Sequence, residues 1–503
     1  MENLQLLLSG FGTALTVQNL LAAIFGGLIG IVVGAMPGLG SLTGVALLLP
    51  LTFKMDPTTG IIMLAAIYYA NMFGGSFSAI LINIPGDSPA VMTALDGYPL
   101  TQQGRAGKAL FTASFSSFIG GTIGIILLTA LGPVLARIGL AFGPAEQAAL
   151  ILFALTSIGW LLGDDPLKGL LTTTFGLMLA TIGVDQQLGQ IRFTFGSVNL
   201  LSGVSFIPLV IGMFGFSQVM EMMLCKNDYD ELACTKLTIK ESLLKGSEIK
   251  SIIPTVFRSG FLGNFVGLLP GAGATTGSFF AYILEKKVGR ERKNLGKGVI
   301  SGVAAAEAAN NAAAAGAFAP LLALGIPGSG TAAVLLGGLM MWGLRPGPLL
   351  FKEASDFVWG LIASMYIGNV IVFIVSLAII PFLVKLLRIP TAILTPLIAV
   401  ICIVGSYSVN NSMFDVWFML IAGIIAYLFK TFDYPIAPLL LAFVLTPRLE
   451  QTFRQAFELS NGNPAIFFKS PIALTFIVLI VAFVVSPLVL KMFSKKKELS
   501  VKS

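Results

Sequence analysis

The sequence predicts an all-α, polytopic membrane protein of about 10–12 transmembrane helices, built as duplicated, inverted repeats with re-entrant hairpins and broken helices. Three observations predict it. Of 503 residues, 56% are hydrophobic and only 11% charged, less than half of the roughly 25% usual in a soluble domain. The apolar residues come in long unbroken runs, not in the short alternating segments of a membrane β-barrel. A glycine- and proline-rich pattern occurs once in each half of the chain.

Along the chain, apolar stretches long enough to cross a bilayer lie at 109–136, 145–162, 167–184, 201–224, 357–384, 391–409, 413–429 and 471–490. Three further regions, 17–53, 58–100 and 258–344, are apolar but interrupted by glycine and proline. The polar stretch 225–257 carries Lys226, Lys236, Lys240, Lys245 and Lys250. A second basic cluster contains Lys286, Lys287, Arg290, Arg292, Lys293 and Lys297, and the C-terminal tail contains Lys491 and Lys495 to Lys497. The positive-inside rule places these patches in the cytoplasm, so the net charge of +7 needs no nucleic acid to explain it. Met1 to Gln5 carries no basic residue ahead of the first apolar stretch, so no cleavable signal peptide is expected. The expected organisation is a first repeat half at 1–224, a cytoplasmic linker at 225–257, a second half at 258–491 and a basic tail at 492–503.

The chemistry is limited by what is missing. The chain contains no histidine, which removes histidine-based triads, His-ligated zinc and histidine proton relays. Cys225, Cys234 and Cys402 have neither zinc-site spacing nor the pattern of a disulfide framework. No enzymatic activity and no cofactor are expected.

The repeat is the most informative feature. Residues 30–44, GIVVGAMPGLGSLTG, match residues 263–277, GNFVGLLPGAGATTG, with identities at Gly30/Gly263, Val33/Val266, Gly34/Gly267, Pro37/Pro270, Gly38/Gly271, Gly40/Gly273, Thr43/Thr276 and Gly44/Gly277. A second pair follows: Asn83-Ile84-Pro85-Gly86-Asp87-Ser88 and Gly325-Ile326-Pro327-Gly328-Ser329-Gly330. Proline removes a backbone donor and glycine admits positive φ, so each motif breaks a helix. Broken backbone at membrane depth is tolerated where it is buried in protein or lines a watery cavity. Matching interruptions in two halves point to a secondary transporter's binding site.

Segment 258–285 is flanked on both sides by basic clusters. Split at its Pro-Gly-x-Gly, it gives two arms of about 11 residues, roughly 16 Å each, or half a bilayer. That predicts a re-entrant hairpin with its tip at mid-depth. The first hundred residues hold one basic residue, Lys54, so the matching hairpin around 20–53 is expected to enter from the opposite face.

The substrate-binding candidates are therefore Pro37, Gly38, Gly40, Ser41 and Thr43; Pro85, Gly86, Asp87 and Ser88; Pro270, Gly271, Gly273, Thr275 and Thr276; and Pro327, Gly328 and Ser329. Free N–H groups at helix starts attract anions. The motifs lack the Gly-Lys-Ser/Thr ending of a phosphate loop. Blander readings stand beside this one. The spaced glycines also suit close helix packing, the hydroxyls also suit bonding within their own helix, and Asp87 also suits a helix cap. Glu307, Asn310 and Asn311, in AAAEAANNAAAAG, are the candidates for a coupling ion, sodium or proton, because an acid in an apolar segment points to function. A structural hydrogen bond between helices is the alternative. Asn71 and Asn83 carry no charge cost and read first as structural; Arg345 and Lys352 read as loop charges.

At these motifs the sequence resembles the large permease subunit of the tripartite tricarboxylate transporters, the TctA type. The resemblance runs through GAMPGLG at 34–40, INIPGDSPAVMTALDGYP at 82–99, AFGPAEQAAL at 141–150, GLLPGAGATTGSF at 267–279, EAANNAAAAGAF at 307–318 and LGIPGSGTAAVLLGGL at 324–339. It implies a bacterial inner-membrane permease for carboxylates, a small four-helix membrane partner, a periplasmic solute-binding protein and ion-coupled uptake without ATP. The function expected is import of tricarboxylate or dicarboxylate anions such as citrate, driven by a cation gradient. An anion channel or sensory scaffold without ion coupling is the alternative.

Overall fold

The computed structural model describes residues 2–161, 165–185, 188–224, 242–382, 391–482 and 484–485. They are almost entirely helical. Seven helices among them are long and apolar enough to cross a membrane. The basic tail 492–503, Cys225, Cys234 and residues 225–241 of the polar stretch lie outside the described residues.

The chain divides into two compact units, Met1–Arg137 with Ser205–Leu428, and Ile138–Val204 with Phe429–Ser503. Neither coincides with a chain half; each takes one segment from each half.

The first unit is built around the repeat. In the first half, α1 (Glu2–Ala14) leads to α2 (Val17–Ala35), which breaks at Pro37–Gly38 and continues as α3 (Gly40–Thr52). Then α4 (Pro57–Ile82) ends in a break that leads into a 3-10 turn at Ser88–Ala90 and α5 (Val91–Gln102). After α6 (Ala106–Leu140), α7 (Pro144–Leu161), α8 (Pro166–Ala180) and α9 (Phe206–Leu224), the second half repeats the plan. Helix α10 (Gly246–Gly267) breaks at Pro270–Gly271 and continues as α11 (Gly273–Val288). Helix α12 (Ile300–Gly316) runs into α13 (Phe318–Leu324), breaks, and resumes as α14 (Gly330–Met341).

In both halves two helices flank the Pro-Gly break, with arms longer than the half-bilayer arms expected from the sequence: 19 and 13 residues in the first, 22 and 16 in the second. Helix α10 also begins twelve positions before 258, inside the stretch read as linker. Its start is polar because Glu248 there accepts the Lys245 N–H at 2.8 Å and the Lys108 ammonium at 2.6 Å. Those charges belong to a helix start.

The halves pack by the same contacts. A Cβ placed on Gly30 would press on Ile67 of α4, and one on Gly263 on Ala309 of α12. Gly34 would meet Asn71, and Gly267 would meet Ala313. Gly86 would run into the Gly34 carbonyl, and Gly328 into the Gly267 carbonyl. Small residues let helices approach closely where lipid supplies no hydrophobic drive between them. Helix α12 takes this furthest. All its residues are buried, with Gly120 and Gly124 of α6 against one side and Gly263 and Gly267 of α10 against another. Alanine is the side chain that fits.

The unit is completed by α15 (Leu350–Glu353), α16 (Ser355–Ile379), α17 (Thr391–Asn410) and α18 (Met413–Thr431). The exposed apolar positions of α17 and α18 recur at helical spacing: Ile393, Leu397, Val400 and Val404, then Trp417, Ile421, Ile424 and Leu428. That is the pattern of a lipid-facing stripe. In the second unit, a short antiparallel hairpin, β1 (Gly183–Val184) with β2 (Ile191–Arg192), follows α8. It lies where the sequence shows only the gap between two apolar runs. An ion-pair network fixes it to α19 (Ala437–Leu459): Arg454 donates to the buried Asp185 at 2.6 Å and Arg192 donates to Glu450 at 2.8 Å. The short α20 (Ile466–Lys469) and the apolar α21 (Pro471–Ala482) end the described chain.

Candidate functional site

The two hairpin tips and the two breaks adopt matching backbones. Gly38 and Gly40 have φ of 89° and 50°; Gly271 and Gly273 have 78° and 59°. Side-chain-bearing residues pay about 1–2 kcal/mol for this left-handed region, which is why glycine stands at all four positions. Helix α4 is closed by Asn83 at φ 59° and helix α13 by Gly325 at φ 70°. The chain then turns extended, and the next helix starts at a capping side chain. Asp87 accepts the Ser88 N–H at 2.8 Å, and Ser329 accepts the Ala332 N–H at 3.2 Å.

Four helix starts meet in this way. Asp87 Oδ2 also accepts the Ser41 N–H at 2.9 Å, so the first break is joined to the first tip. In the second half, Gly273 stands against Ser329; a Cβ there would lie 3.5 Å from the Ser329 Cβ. Three bonds at the breaks cross between halves. Ser41 Oγ lies 3.0 Å from Thr331 Oγ1 on α14, and Ser278 Oγ of α11 donates to the Pro89 carbonyl at 2.9 Å. Tyr68 of α4 reaches Ser329, hydroxyl to hydroxyl, at 3.0 Å.

The sequence-derived candidates are therefore brought together as sets, although not equally. Gly38 is exposed, Pro37, Gly40 and Pro85 are partly so, and Ser41, Thr43 and Gly86 are buried. Gly271, Gly273, Pro327 and Gly328 are buried, Pro270 and Thr276 partly so, and Thr275 exposed.

Glu307, Asn310 and Asn311 form a separate cluster on α12. The Glu307 carboxylate is wholly buried. It accepts the hydroxyl of Thr93 on α5, the hydroxyl of Ser117 on α6 at 2.9 Å and the Asn310 amide at 3.3 Å. Asn311 donates to Asn310 Oδ1 at 2.9 Å and to the Glu307 carbonyl at 3.2 Å. Three donors on one carboxylate satisfy its charge. The arrangement ties α5, and through it the first break, to α6 and α12.

Several participants are invisible in the sequence. Tyr68 and Ser117 lie in long helices and Thr93 in the short α5 after the first break. Gln218 on α9 is buried with its amide 2.8 Å from where a Gly38 Cβ would stand. It follows a π-helical stretch at Ile211–Phe216, a distortion common at functional sites. Asp96 of α5 is buried, and its carboxylate accepts the N–H groups of Gly296, Gly298 and Val299 and the Tyr282 hydroxyl, all at 2.8–3.0 Å. Among the described residues no cluster of three or more acidic, cysteine or histidine side chains is placed to hold a metal.

The model of the tripartite tricarboxylate transporter TctA family matches residues 20–441, a span that contains both tips, both breaks and the Glu307 cluster. The chain belongs to that family. It is thus a multi-pass membrane permease of the tripartite tricarboxylate transporter type, and that type works with partner subunits. The chain is 40% identical over 492 residues to an uncharacterised 52.8 kDa protein from the TAR-I ttuC′ 3′ region of Agrobacterium vitis, covering 98% of this chain and 97% of that one. It is 39% identical over 239 residues to an uncharacterised protein from the TAR-II ttuC′ 3′ region of the same organism, covering 48% of this chain and 99% of that one. No solved structure matches it. For a TctA-family chain, the paired tips and breaks are the candidate transport site.

Proposed function

We propose that the chain imports carboxylate anions, tricarboxylates or dicarboxylates such as citrate, as a symporter driven by a sodium or proton gradient. It acts in a bacterial inner membrane, with a small four-helix membrane subunit and a periplasmic solute-binding protein that delivers the substrate. The observation that carries this reading is the meeting of four helix starts at the Pro-Gly breaks, where Asp87 holds those of the first half and the neutral Ser329 caps the restart in the second. Free N–H groups and hydroxyls at helix starts recognise carboxylates without needing a cationic side chain. Midplane sites between repeats are how secondary transporters bind substrate and ion together. Both hairpins are re-entrant and enter from opposite faces in this reading. The Glu307 cluster positions α5; its carboxylate is already occupied by three donors, which favours that role over holding the coupling ion.

Proteoliposomes containing the chain and its partner subunits test the function. Uptake of labelled citrate or a dicarboxylate is expected to rise at least about tenfold when an inward sodium or proton gradient is imposed. Equal flux with and without both gradients would instead support the channel reading. Cysteines at Lys250 and Arg290 are expected to label from the cytoplasmic side only. Labelling from opposite sides would sink the re-entrant second hairpin.

A further inference from the structure

The two breaks match in backbone and differ in charge. Asp87 stands at the first helix restart and Ser329 at the second, each the residue after Ile-Pro-Gly and each capping its helix. Beneath the tips, Asn71 of α4 stands where Ala313 stands in α12, since each meets its half's equivalent glycine, Gly34 or Gly267. The first half thus adds a carboxylate and an amide that the second half lacks.

The first break packs against the face of α4 that carries Asn71. Gly86 N–H donates to the Gly75 carbonyl at 3.2 Å, so the first break folds back along α4. A Cβ on Gly75 would stand 3.1 Å from the Asp87 nitrogen and 3.2 Å from its Cβ. Asn71 is one turn from Gly75 and three residues from Tyr68, so the three share one face of α4, and Tyr68 reaches Ser329. Asn71 is wholly buried, and neither atom of its amide finds a hydrogen-bond partner among the described residues. A buried amide left unpaired costs about 1–3 kcal/mol, which points to a ligand on that face.

We infer that the breaks are specialised by charge. The Asp87 break, with the Asn71 amide oxygen and the Tyr68 hydroxyl, takes a hard monovalent cation of the sodium class, and the Ser329 break takes a carboxylate of the substrate. This rests on the carboxylate-symport reading above. Asp87 fills the helix starts of its own half: it accepts the Ser41 and Ser88 N–H groups. Those donors are therefore not offered to a substrate anion. A carboxylate has about four lone-pair positions, so two remain for a cation. Oxygen donors alone, with no sulfur or imidazole, suit a hard cation. At the second break nothing acidic competes, and the Gly271–Gly273 tip, Ser329 and Thr331 present neutral donors. The cation beside Asp87 lowers the electrostatic cost of an anion at the neighbouring break, which couples the two.

Equilibrium binding of 22Na+ to the purified full chain, without substrate, tests the assignment separately from the substrate reading. Saturable binding is expected, weakened at least about tenfold by Asp87→Asn and by Asn71→Ala, because affinity follows ligand charge and number. Glu307→Gln, which only loosens the support of the break through Thr93, is expected to weaken binding far less than Asp87→Asn does. Ser329→Asp, which places an acid at both breaks, is expected to abolish carboxylate uptake while sodium binding persists. Binding lost in Glu307→Gln but kept in both Asp87→Asn and Asn71→Ala would overturn the assignment, as would no saturable sodium binding by the parent chain. If sodium binding follows the expected pattern but no carboxylate is carried, the substrate reading fails and the cation site stands. Monodisperse elution of each variant separates loss of binding from loss of fold, and Asp87→Glu, which keeps the charge, is expected to retain binding.

Discussion

The first and second hairpin–break pairs are the same machine drawn twice, with different side chains. The Gly34 and Gly267 carbonyls stand where a Cβ on Gly86 or Gly328 would lie, and all four tip glycines take the left-handed region. Yet Asp87 corresponds to Ser329, Asn71 corresponds to Ala313, and Gly38 is exposed where Gly271 is buried. Duplication preserved what the backbone needs and released what the ligand needs. The shared features are therefore structural demands, and the differences are where substrate and ion are told apart.

The strongest way to break the comparison is at the shared backbone contacts. Gly86→Leu and Gly328→Leu each force a side chain into the carbonyl of Gly34 or Gly267. Both are expected to destabilise by about 3 kcal/mol or more, measured as loss of monodisperse protein and a lower melting temperature. Tolerance in one half only would mean that the equivalence is superficial. Next come the tips. Gly271→Val is expected to abolish uptake while the protein still inserts, and Gly38→Val to impair it too, because a Cβ there would stand 2.8 Å from the Gln218 amide. Near-normal transport by Gly271→Val would remove the second tip from the site.

A smaller effect is expected at the cluster that ties the first break down. Glu307→Gln is expected to cost about 1–3 kcal/mol, with strong coupling to Thr93→Val in a double-mutant cycle of thermal stability. Additive losses would show that Thr93 and Glu307 do not act through one bond. The smallest change is expected at the bonds that cross between halves. Ser41→Ala and Ser278→Ala are each expected to cost about 0.5–1.5 kcal/mol in melting experiments.

The tips and breaks were legible because proline and glycine dictate backbone regardless of surroundings. Pro37-Gly38 and Pro270-Gly271 interrupt helices wherever those helices pack. What fills the breaks was not legible. Tyr68, Thr93 and Ser117 carry no signal in their side chains, and each makes its bond to a partner more than 180 residues away. The start of α10 was misread for a related reason. Charges at Glu248 and Lys250 look like linker composition, and only the bond from Lys245 N–H to Glu248 reveals a helix start. The β1–β2 hairpin was hidden because two residues per strand leave no alternation to count.

The bond between Ser41 and Thr331 joins positions 290 residues apart. Translation at about 5–20 residues per second therefore separates their emergence by about 15–60 s. For that interval the first tip, its proline break and the buried side chains of α4 are in the membrane before the groups that complete them. Asp87, which holds Ser41 from within its own half, is synthesised only 46 residues after it. It gives the early half a local partner during the wait. The Ser41–Asp87 bond thus needs no group from the second half, whereas the Ser41–Thr331 bond does.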